Sequence, residues 1–464
     1  MFKLCRYRAM GLLRAGRLAL TFIAATLLFS CLQVAAVDRS EARFRKLLLG
    51  RHDNARLMAV ESVAADFQSR IQALPILIDS LEKLRNDARF AKLEKQGLPD
   101  LPDGVFRMIQ VIGTSDRPNA TRALVELLGC ERRSWSMAAL NVLCENQHHA
   151  AIDAVADRMN SGDFDASYGY RFSLARGLKS MKHADAWEAL SSLYERVDGQ
   201  LAHRLREEFK RVTVEDLGDD EERFAKWRGS VGLSDEPEPS PLDDALANAM
   251  AIMNDETSPS TQSEDLPKQM SLRPSESAAS YQRRHLKPSH YYGIEIYAKR
   301  LLFIIDRSGS MGTVVDGRTR IDRAKKELVE AIQGLDPQCE FGLLVFDSEI
   351  RTWRESLVPA NESNKLDAVR FVEYLGTGST TNTYGVLRRA LSFDDQLEAV
   401  FMLTDGEPTS GRITNPGTIL TDILRRNELH HLTINTIAIA VEPPMATFLR
   451  RLSEPSNGEY RDVK

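Results

Sequence analysis

From Arg300 onwards the chain alternates between two kinds of apolar pattern. Continuous apolar runs such as Leu301–Ile305 and Phe341–Phe346 are typical of strands buried on both faces of a parallel sheet. Segments with helical periodicity, such as Ile321–Ile332, lie between these runs. Strands that alternate with helices require a mostly parallel sheet covered by helices on both faces. We therefore predict a doubly wound, Rossmann-like α/β domain over residues 290–464.

The remaining elements of this domain follow the same alternation. The other predicted strands are Ala399–Leu403, Thr433–Val441 and Glu459–Val463, and the other predicted helices are Asn364–Tyr374, Tyr384–Leu391, Ile419–Asn427 and Met445–Leu452. Ligand sites in sheets of this kind lie at the carboxyl ends of the strands. The polar residues at those ends are therefore the first candidates for a functional site.

Three polar loops are expected to meet at that edge of the sheet. The first strand leads into Asp306, Ser308 and Ser310, the strand at 399–403 leads into Asp405, and the loop between them carries Thr381. Their side chains offer carboxylates and hydroxyls, with no thiol or imidazole nearby. Oxygen ligands of low total charge suit a hard cation of octahedral geometry. We predict that this edge holds Mg²⁺ or Mn²⁺.

The same loops resemble the metal-ion-dependent adhesion site of von Willebrand factor A (vWA) domains. The Asp-x-Ser-x-Ser of residues 306–310 is similar to the opening motif of that site. Thr381, within Thr-Asn-Thr-Tyr-Gly, matches the threonine loop of the family, and Asp405, within Thr-Asp-Gly, matches its third loop. The resemblance is limited to the C-terminal domain, where three separated motifs occur in the family's order.

The resemblance implies a role for each of these residues. Ser308 and Ser310 are expected to ligate the cation directly, and Thr381 directly or through water. Asp306 and Asp405 are expected to act largely through water and hydroxyl hydrogen bonds. The threonine loop departs from the family because Ser379-Thr380 replaces the commoner double glycine. Thr380 therefore remains an alternative to Thr381 as a ligand.

The function implied by the resemblance is binding rather than catalysis. A site with one or two carboxylates leaves the cation electrophilic, with one coordination position open. An acidic side chain of a protein partner is expected to fill that position. Arg307, Glu407 and the loop at 409–415 are expected to rim the site and to select the partner.

Residues 39–230 are predicted to form an all-α, solenoid-like region. A helix pair recurs, with first helices around Ala123, Ala154 and Ala189 and a second helix after each. A helix pair that recurs after 31 and then 35 residues resembles short HEAT-like repeats, which usually serve as scaffolds. Nearer its start we expect one helix from Asp53 to Ala73, a break at Pro75, and a second helix after it. Cys130 and Cys144 either form a disulfide or remain as buried thiols.

Residues 231–288 are rich in Pro, Ser, Glu and Asp and poor in large apolar residues. Such a segment cannot bury enough apolar surface to offset the chain entropy lost on folding. We predict a disordered linker between the helical region and the α/β domain.

Residues 1–36 have the layout of a secretory signal: they carry five bases and no acid, and an uncharged apolar run follows the bases from Leu18 to Val37. Three interpretations fit: cleavage after Ala36, lipidation at Cys31, or retention of the segment as a membrane anchor. All three place the rest of the chain outside the cytoplasm. Together with the other segments, this layout resembles exported bacterial vWA proteins. We expect a periplasmic, cell-surface or membrane-anchored location, with membrane association through the N-terminal segment.

The leading hypothesis is a cation-dependent protein-binding or adhesion module on an exported scaffold. An alternative is a structural envelope protein whose helical repeats bind while the metal only stabilises the loops. Hydrolase activity is disfavoured because the chain lacks G-x-S-x-G, H-E-x-x-H and a phosphate-binding loop. A role beside an intracellular ATPase conflicts with the export signal. Acids outnumber bases, 66 to 61, which argues against general nucleic-acid binding.

Overall fold

The computed structural model describes residues 40–90, 101–212 and 289–463. By compactness the chain divides into two units, Met1–Asn146 and Gln147–Lys464. This division falls inside the helical region predicted for residues 39–230. Its last helices therefore belong to the same compact unit as the α/β domain. The predicted signal segment, residues 1–36, and the predicted linker, residues 231–288, lie outside the described residues.

The first unit is helical throughout its described part. Besides a helical stretch at residues 40–49, its longer helices are α1 (Asp53–Ala64), α2 (Phe67–Arg85), α3 (Asp103–Gly113), α4 (Pro118–Leu128) and α5 (Arg133–Glu145). Cys130 and Cys144 are both buried, and no disulfide joins them. The second of the two interpretations of this cysteine pair therefore applies.

The expected helix break at Pro75 is wrong, because Pro75 lies inside α2. The interruption between the two helices lies earlier, at Asp66. The side chain of Asp66 accepts a hydrogen bond from the backbone N–H of Ser69 at 2.7 Å and thereby caps the N-terminus of α2. Proline inside a helix removes one backbone hydrogen bond. Leu74 and Leu77 beside it are buried, and burial of this apolar face offsets the loss.

A first group of helices in the second unit comes before its sheet in the sequence. They are α6 (Ile152–Asp157), α7 (Gly162–Ala166), α8 (Tyr168–Ser180), α9 (Ala184–Tyr194) and α10 (Gly199–Val212). The second helices expected after those around Ala154 and Ala189 correspond to α8 and α10. Among the described residues of the chain, none of the helices combines the length and apolarity needed to cross a membrane.

The α/β domain is confirmed, with a mixed sheet. Its strands are β1 (Ser289–Tyr291), β2 (Ile294–Ile296), β3 (Arg300–Asp306), β4 (Val314–Val315), β5 (Arg318–Thr319), β6 (Glu340–Phe346), β7 (Ile350–Thr352), β8 (Val358–Pro359), β9 (Ala399–Thr404), β10 (Thr433–Ile439) and β11 (Tyr460–Val463). The main sheet has the order β11-β10-β9-β3-β6-β7, and β8 also pairs with β6. Strands β11, β10, β9, β3 and β6 are parallel, whereas β7 and β8 are antiparallel to β6. The short β7 and β8 were not predicted, because two or three residues are too few to show a period.

Helices cover both faces of this sheet. They are α11 (Arg320–Gly334), α12 (Glu362–Glu373), α13 (Thr383–Leu391), α14 (Pro416–His430) and α15 (Pro443–Ser453). Successive side chains of β3 enter different cores: Leu301 and Phe303 belong to one cluster, and Leu302 and Ile304 to the other. Burial on both faces explains why the strand sequences are continuous apolar runs rather than alternating ones.

A hairpin of β1 and β2 adds to one of these two cores. Its turn residues, Tyr292 and Gly293, both have positive φ angles, 51° and 75°, as tight two-residue hairpin turns require. The ring of Tyr291 lies edge-on to Phe303, with 5.2 Å between ring centroids. The hairpin thereby places an aromatic side chain against the central strand of the sheet.

The helices of the second unit contact the amino-terminal edge of the sheet. Arg204 of α10 donates to the hydroxyl of Thr433, the first residue of β10, at 2.7 Å. The backbone N–H of Gln200 donates to the carboxylate of Glu398, directly before β9, at 2.8 Å. The helices thus occupy the edge opposite to the carboxyl ends of the strands, where the predicted site lies.

Candidate metal centre

The structure brings the predicted site residues to the carboxyl edge of the sheet. Asp306 ends β3, and Asp405 directly follows the neighbouring parallel strand β9. A short 3₁₀ turn over Gly309–Gly312 follows Ser308 and contains Ser310. Thr381 lies two residues before the start of α13. Parallel pairing of β3 with β9 therefore sets two of the three loops side by side.

The hydroxyl and carboxylate oxygens of these loops lie at hydrogen-bond distance from one another. Ser308 Oγ is 3.1 Å from Ser310 Oγ, and Ser310 Oγ donates to Asp405 Oδ1 at 2.8 Å. Gly406 marks the position of the third loop. A β-carbon built on Gly406 would lie 3.5 Å from Ser310 Oγ and 3.9 Å from Thr381 Oγ1. The hydroxyls of Ser310 and Thr381 therefore both lie within 4 Å of that position.

Asp306 is completely buried beneath this cluster. Its Oδ1 accepts from the backbone N–H of Ser308 at 2.7 Å, and its Oδ2 accepts from the hydroxyl of Thr404 at 2.6 Å. Burial raises the pKa of Asp306 to about 6, although the hydrogen bonds from Thr404 and Ser308 act in the opposite direction. Asp306 therefore ties the first loop to the end of β9. Thr404 was not among the predicted site residues.

The spacing of these oxygens fits the shell of a small hard cation. Mg²⁺ binds oxygen at about 2.0–2.1 Å in octahedral geometry, so neighbouring ligand oxygens are about 2.9 Å apart. The Ser308–Ser310 and Ser310–Asp405 separations, 3.1 and 2.8 Å, match that edge length. Two carboxylates and three hydroxyls also form the hard, oxygen-only donor set that Mg²⁺ and Mn²⁺ prefer.

The two threonines of the threonine loop differ in position. Thr381 is buried, and its backbone N–H donates to Thr409 Oγ1 at 2.9 Å. Thr380 is exposed and donates to Ser410 Oγ at 2.8 Å. The loop at 409–415 therefore holds the backbone of Thr381 and occupies the hydroxyl of Thr380. This geometry favours Thr381 over Thr380 as a ligand.

Arg307 contacts an aspartate that the sequence analysis did not consider. Its guanidinium donates to Asp347 Oδ2 at 2.7 and 3.1 Å. The carbonyl of Asp347 accepts from the N–H of Asn382, at 2.9 Å, beside Thr381. Asp347 directly follows β6, so the rule that polar residues end strands would have identified it. Arg307 and Asp347 thus position the threonine loop. Glu407, also expected on the rim, is exposed.

Arg320 is a further residue at the site that the sequence analysis did not identify. This first residue of α11 donates from Nη1 to Asp405 Oδ2 at 2.8 Å, and the side chain of Asp405 is completely buried. The guanidinium therefore neutralises one of the two carboxylates of the cluster. An arginine at the start of an amphipathic helix usually faces solvent, and nothing in its local sequence indicates this contact.

The threonine loop is tightly packed at Gly378, which allows a test by substitution. In Gly378→Ala the new β-carbon would lie 1.9 Å from Asp347 Oδ2. We expect the free energy of unfolding to fall by roughly 1–3 kcal/mol, because either the loop or Asp347 must move. Gly376→Ala is the matched control, since a β-carbon there meets no atom within 4 Å. Urea denaturation of both variants measures the difference, and equal losses would contradict the packing.

Comparison with known proteins finds similarity in the α/β domain. Residues 301–407 match the family model of the von Willebrand factor type A domain. Inter-alpha-trypsin inhibitor heavy chain H4 of Homo sapiens is 32% identical over 148 residues, 29% of this chain and 15% of that protein. Human von Willebrand factor A domain-containing protein 3B is 29% identical over 162 residues, 34% of this chain and 11% of that protein. This chain therefore spans less than a sixth of the length of these two relatives.

Among solved structures, a von Willebrand factor type A protein from Catenulispora acidiphila is similar over 37% of this chain and 40% of its own. The two are 20% identical, with a TM-score of 0.32. BatB from Bacteroides thetaiotaomicron is similar over 36% of this chain and 90% of its own, with 14% identity and a TM-score of 0.29.

Proposed function

We propose that the vWA domain of this chain binds a protein partner through one divalent cation, Mg²⁺ or Mn²⁺. Ser308, Ser310 and Thr381 would hold the cation with Asp306 and Asp405 behind them. The observation that carries the proposal is the spacing of the Ser308, Ser310 and Asp405 oxygens, 3.1 and 2.8 Å, which fits an octahedral shell. The cation would supply a localised positive charge that attracts a carboxylate.

The charge balance of the site supports recognition of an acidic partner. Two carboxylates carry a charge of −2, and the guanidinium of Arg320, paired with Asp405 at 2.8 Å, offsets one of them. A divalent cation among these groups keeps a net positive charge. An acidic side chain of a partner protein would then complete the coordination and leave the whole site nearly neutral.

The arrangement of the hydroxyls supports a binding module rather than an enzyme. A catalytic serine needs an adjacent base that is available to accept its proton. Ser310 donates to Asp405, but that carboxylate already accepts from Arg320. Ser308 Oγ is hydrogen-bonded to Ser310 rather than to an imidazole. Both hydroxyls are thus arranged as ligands or hydrogen-bond partners.

We further propose that the rest of the chain is an exported scaffold for this site. Helix α10 contacts the amino-terminal edge of the sheet through Arg204 and Gln200, on the side opposite to the metal centre. Helix α10 would therefore support the vWA domain without blocking its binding edge. The structural envelope alternative, in which the helices bind and the metal only stabilises loops, makes a different prediction about Asp306.

Calorimetric titration of the full chain with Mg²⁺ and Mn²⁺ tests the metal. We expect saturable binding of one ion per chain and its loss in Asp306→Ala, which removes the carboxylate that joins Ser308 to Thr404. Asp316→Ala is the control, because Asp316 is a highly exposed acid in a nearby turn. Unchanged binding in Asp306→Ala, or no saturable binding by the wild type at millimolar metal, would sink the proposal.

Once a protein ligand has been identified, the same variants distinguish metal-dependent binding from the structural envelope role. The binding proposal requires that both chelation and Asp306→Ala abolish capture of the ligand. The structural alternative requires that capture persists in both cases while thermal stability falls. A readout of capture beside thermal stability therefore distinguishes them.

A further inference from the structure

A cleft of about 290 Å³ opens beside the metal centre. Its lining consists of six side chains from four neighbouring segments: Arg307, Val345, Arg351, Phe371, Tyr374 and Leu375. Val345 lies on β6, Arg351 on β7, and Phe371 near the end of α12. The volume is near the lower limit of ordinary ligand pockets, and it suits one large side chain.

The cleft shares an element with the metal centre. Arg307 lines the cleft and stands between Asp306 and Ser308 in the sequence. Its guanidinium points toward Asp347 and the carbonyl of Gly376, at 2.7 and 3.4 Å. Arg307 therefore belongs both to the lining of the cleft and to the loop that carries Asp306 and Ser308.

Two of the side chains at the cleft are largely exposed to solvent. Tyr374 is 90% exposed, although it directly follows α12 and adjoins the partly buried Leu375. Arg351 is 59% exposed, and its ion pair with the exposed Glu349, at 3.2 Å, contributes little. Tyr and Arg around an apolar floor are the residue types that dominate binding energy at protein interfaces.

We propose that this cleft receives a large apolar side chain of the partner whose acidic residue binds at the metal centre. The occupant is a peptide segment with an aspartate or glutamate and, a few residues away, a large aliphatic or aromatic residue. Charge complementarity supports an acidic segment, because the charged residues that line the cleft, Arg307 and Arg351, are both basic. The inference rests on the proposed function and adds the partner's second contact.

A library of random peptides displayed on phage, selected on the full chain with Mg²⁺, provides the probe. Recovered sequences are expected to combine an acidic residue with a nearby Phe, Trp, Leu or Met. A synthetic peptide of the most frequent sequence is then titrated calorimetrically into Tyr374→Ala. We expect its affinity to fall about tenfold or more, with Mg²⁺ binding unchanged.

Leu366→Ala is the matched control, because Leu366 is also exposed, 54%, and lies on α12 but not in the cleft. Its affinity for the peptide is expected to equal that of the wild type. Recovered peptides without an apolar preference would overturn the proposal, as would equal affinities of Tyr374→Ala and wild type or recovery of no peptide. Loss in Tyr374→Ala with binding that is independent of Mg²⁺ would support the cleft and overturn the metal-dependent function.

Discussion

Replacing Glu398 by alanine is expected to lower the free energy of unfolding by about 3–5 kcal/mol, the cost of removing one partner from a buried charged network. Glu398 is 1% exposed and precedes β9. It accepts from the backbone N–H groups of Gln200 and Lys299, at 2.8 and 3.1 Å, and from Arg300 at 3.2 Å. Alanine leaves all three donors without this acceptor.

Loss of the Glu398 carboxylate would weaken the contacts between α10 and the sheet. Asp198, directly before α10, pairs with Lys299 at 2.6 Å in the same network. Urea denaturation of the full chain measures the effect. Glu398→Gln is the matched control, because the amide oxygen still accepts hydrogen bonds and the volume is unchanged. A loss below about 1 kcal/mol in Glu398→Ala would contradict the assigned role.

The charge of Glu398 also predicts a pH dependence. Burial raises the pKa of Glu398 from 4.5 to about 7, with the nearby Asp198 carboxylate as a second cause. The folded state therefore binds a proton more tightly than the unfolded state. The stability that comes from this tighter proton binding by Glu398 is fully present below pH 4.5 and is lost as the pH rises through 7. A shift of this size corresponds to about 3 kcal/mol.

Denaturation in chelator between pH 5 and 8 checks this sign. We expect wild type to lose stability relative to Glu398→Gln as the pH rises, because glutamine does not ionise. The comparison of the two proteins cancels other titrating groups, including Asp306. Parallel stability curves for the two proteins would contradict the raised pKa of Glu398.

Replacing Arg320 by glutamine is expected to tighten Mg²⁺ binding by about tenfold or more. Arg320 donates to Asp405 at 2.8 Å, so its positive charge opposes a cation held beside the same carboxylate. Two unit charges about 4 Å apart interact by about 1 kcal/mol in water, and a divalent ion doubles this repulsion. The substitution would remove about 2 kcal/mol of repulsion between Arg320 and the ion. This energy is larger than the ~1.4 kcal/mol that corresponds to a tenfold change in affinity.

The same variant should be less stable without metal. The side chain of Asp405 is completely buried, and it would lose its ionic partner. Added Mg²⁺ would then raise the melting temperature of Arg320→Gln more than that of wild type, because the ion supplies the missing positive charge. Arg320→Lys keeps the charge and is expected to bind Mg²⁺ like wild type. Unchanged affinity in Arg320→Gln, or equal tightening in Arg320→Lys, would refute this role.

The parallel strands and helices of the vWA domain were predictable because their signals are local. Runs such as Leu301–Ile305 are apolar at every position because both faces of the sheet are covered, and such a pattern needs no knowledge of distant contacts. The convergence of Asp306 with Asp405 was predictable for a related reason, since parallel strands end at the same edge. Pro75 shows the limit of such rules, because burial of its neighbours outweighed the local preference of proline.

Other features depend on residues far apart in the sequence. Arg320 and Asp405 are 85 residues apart, and Gln200 and Glu398 are 198 apart. No periodicity or motif encodes such pairs, because each depends on how separate elements pack. The grouping of residues 147–212 with the vWA domain also follows from contacts between residues that are far apart in the sequence.

The sequence by itself therefore determined the order of the main helices and parallel strands of the α/β domain, its α/β class and the three loops that carry the candidate ligands. It could do so because apolar period and strand-end position are properties of short segments. Only the tertiary structure decided that Arg320 neutralises Asp405, that Asp347 anchors the threonine loop, and that Glu398 joins helix and sheet. Each of these is a contact between side chains or backbone groups brought together only by folding.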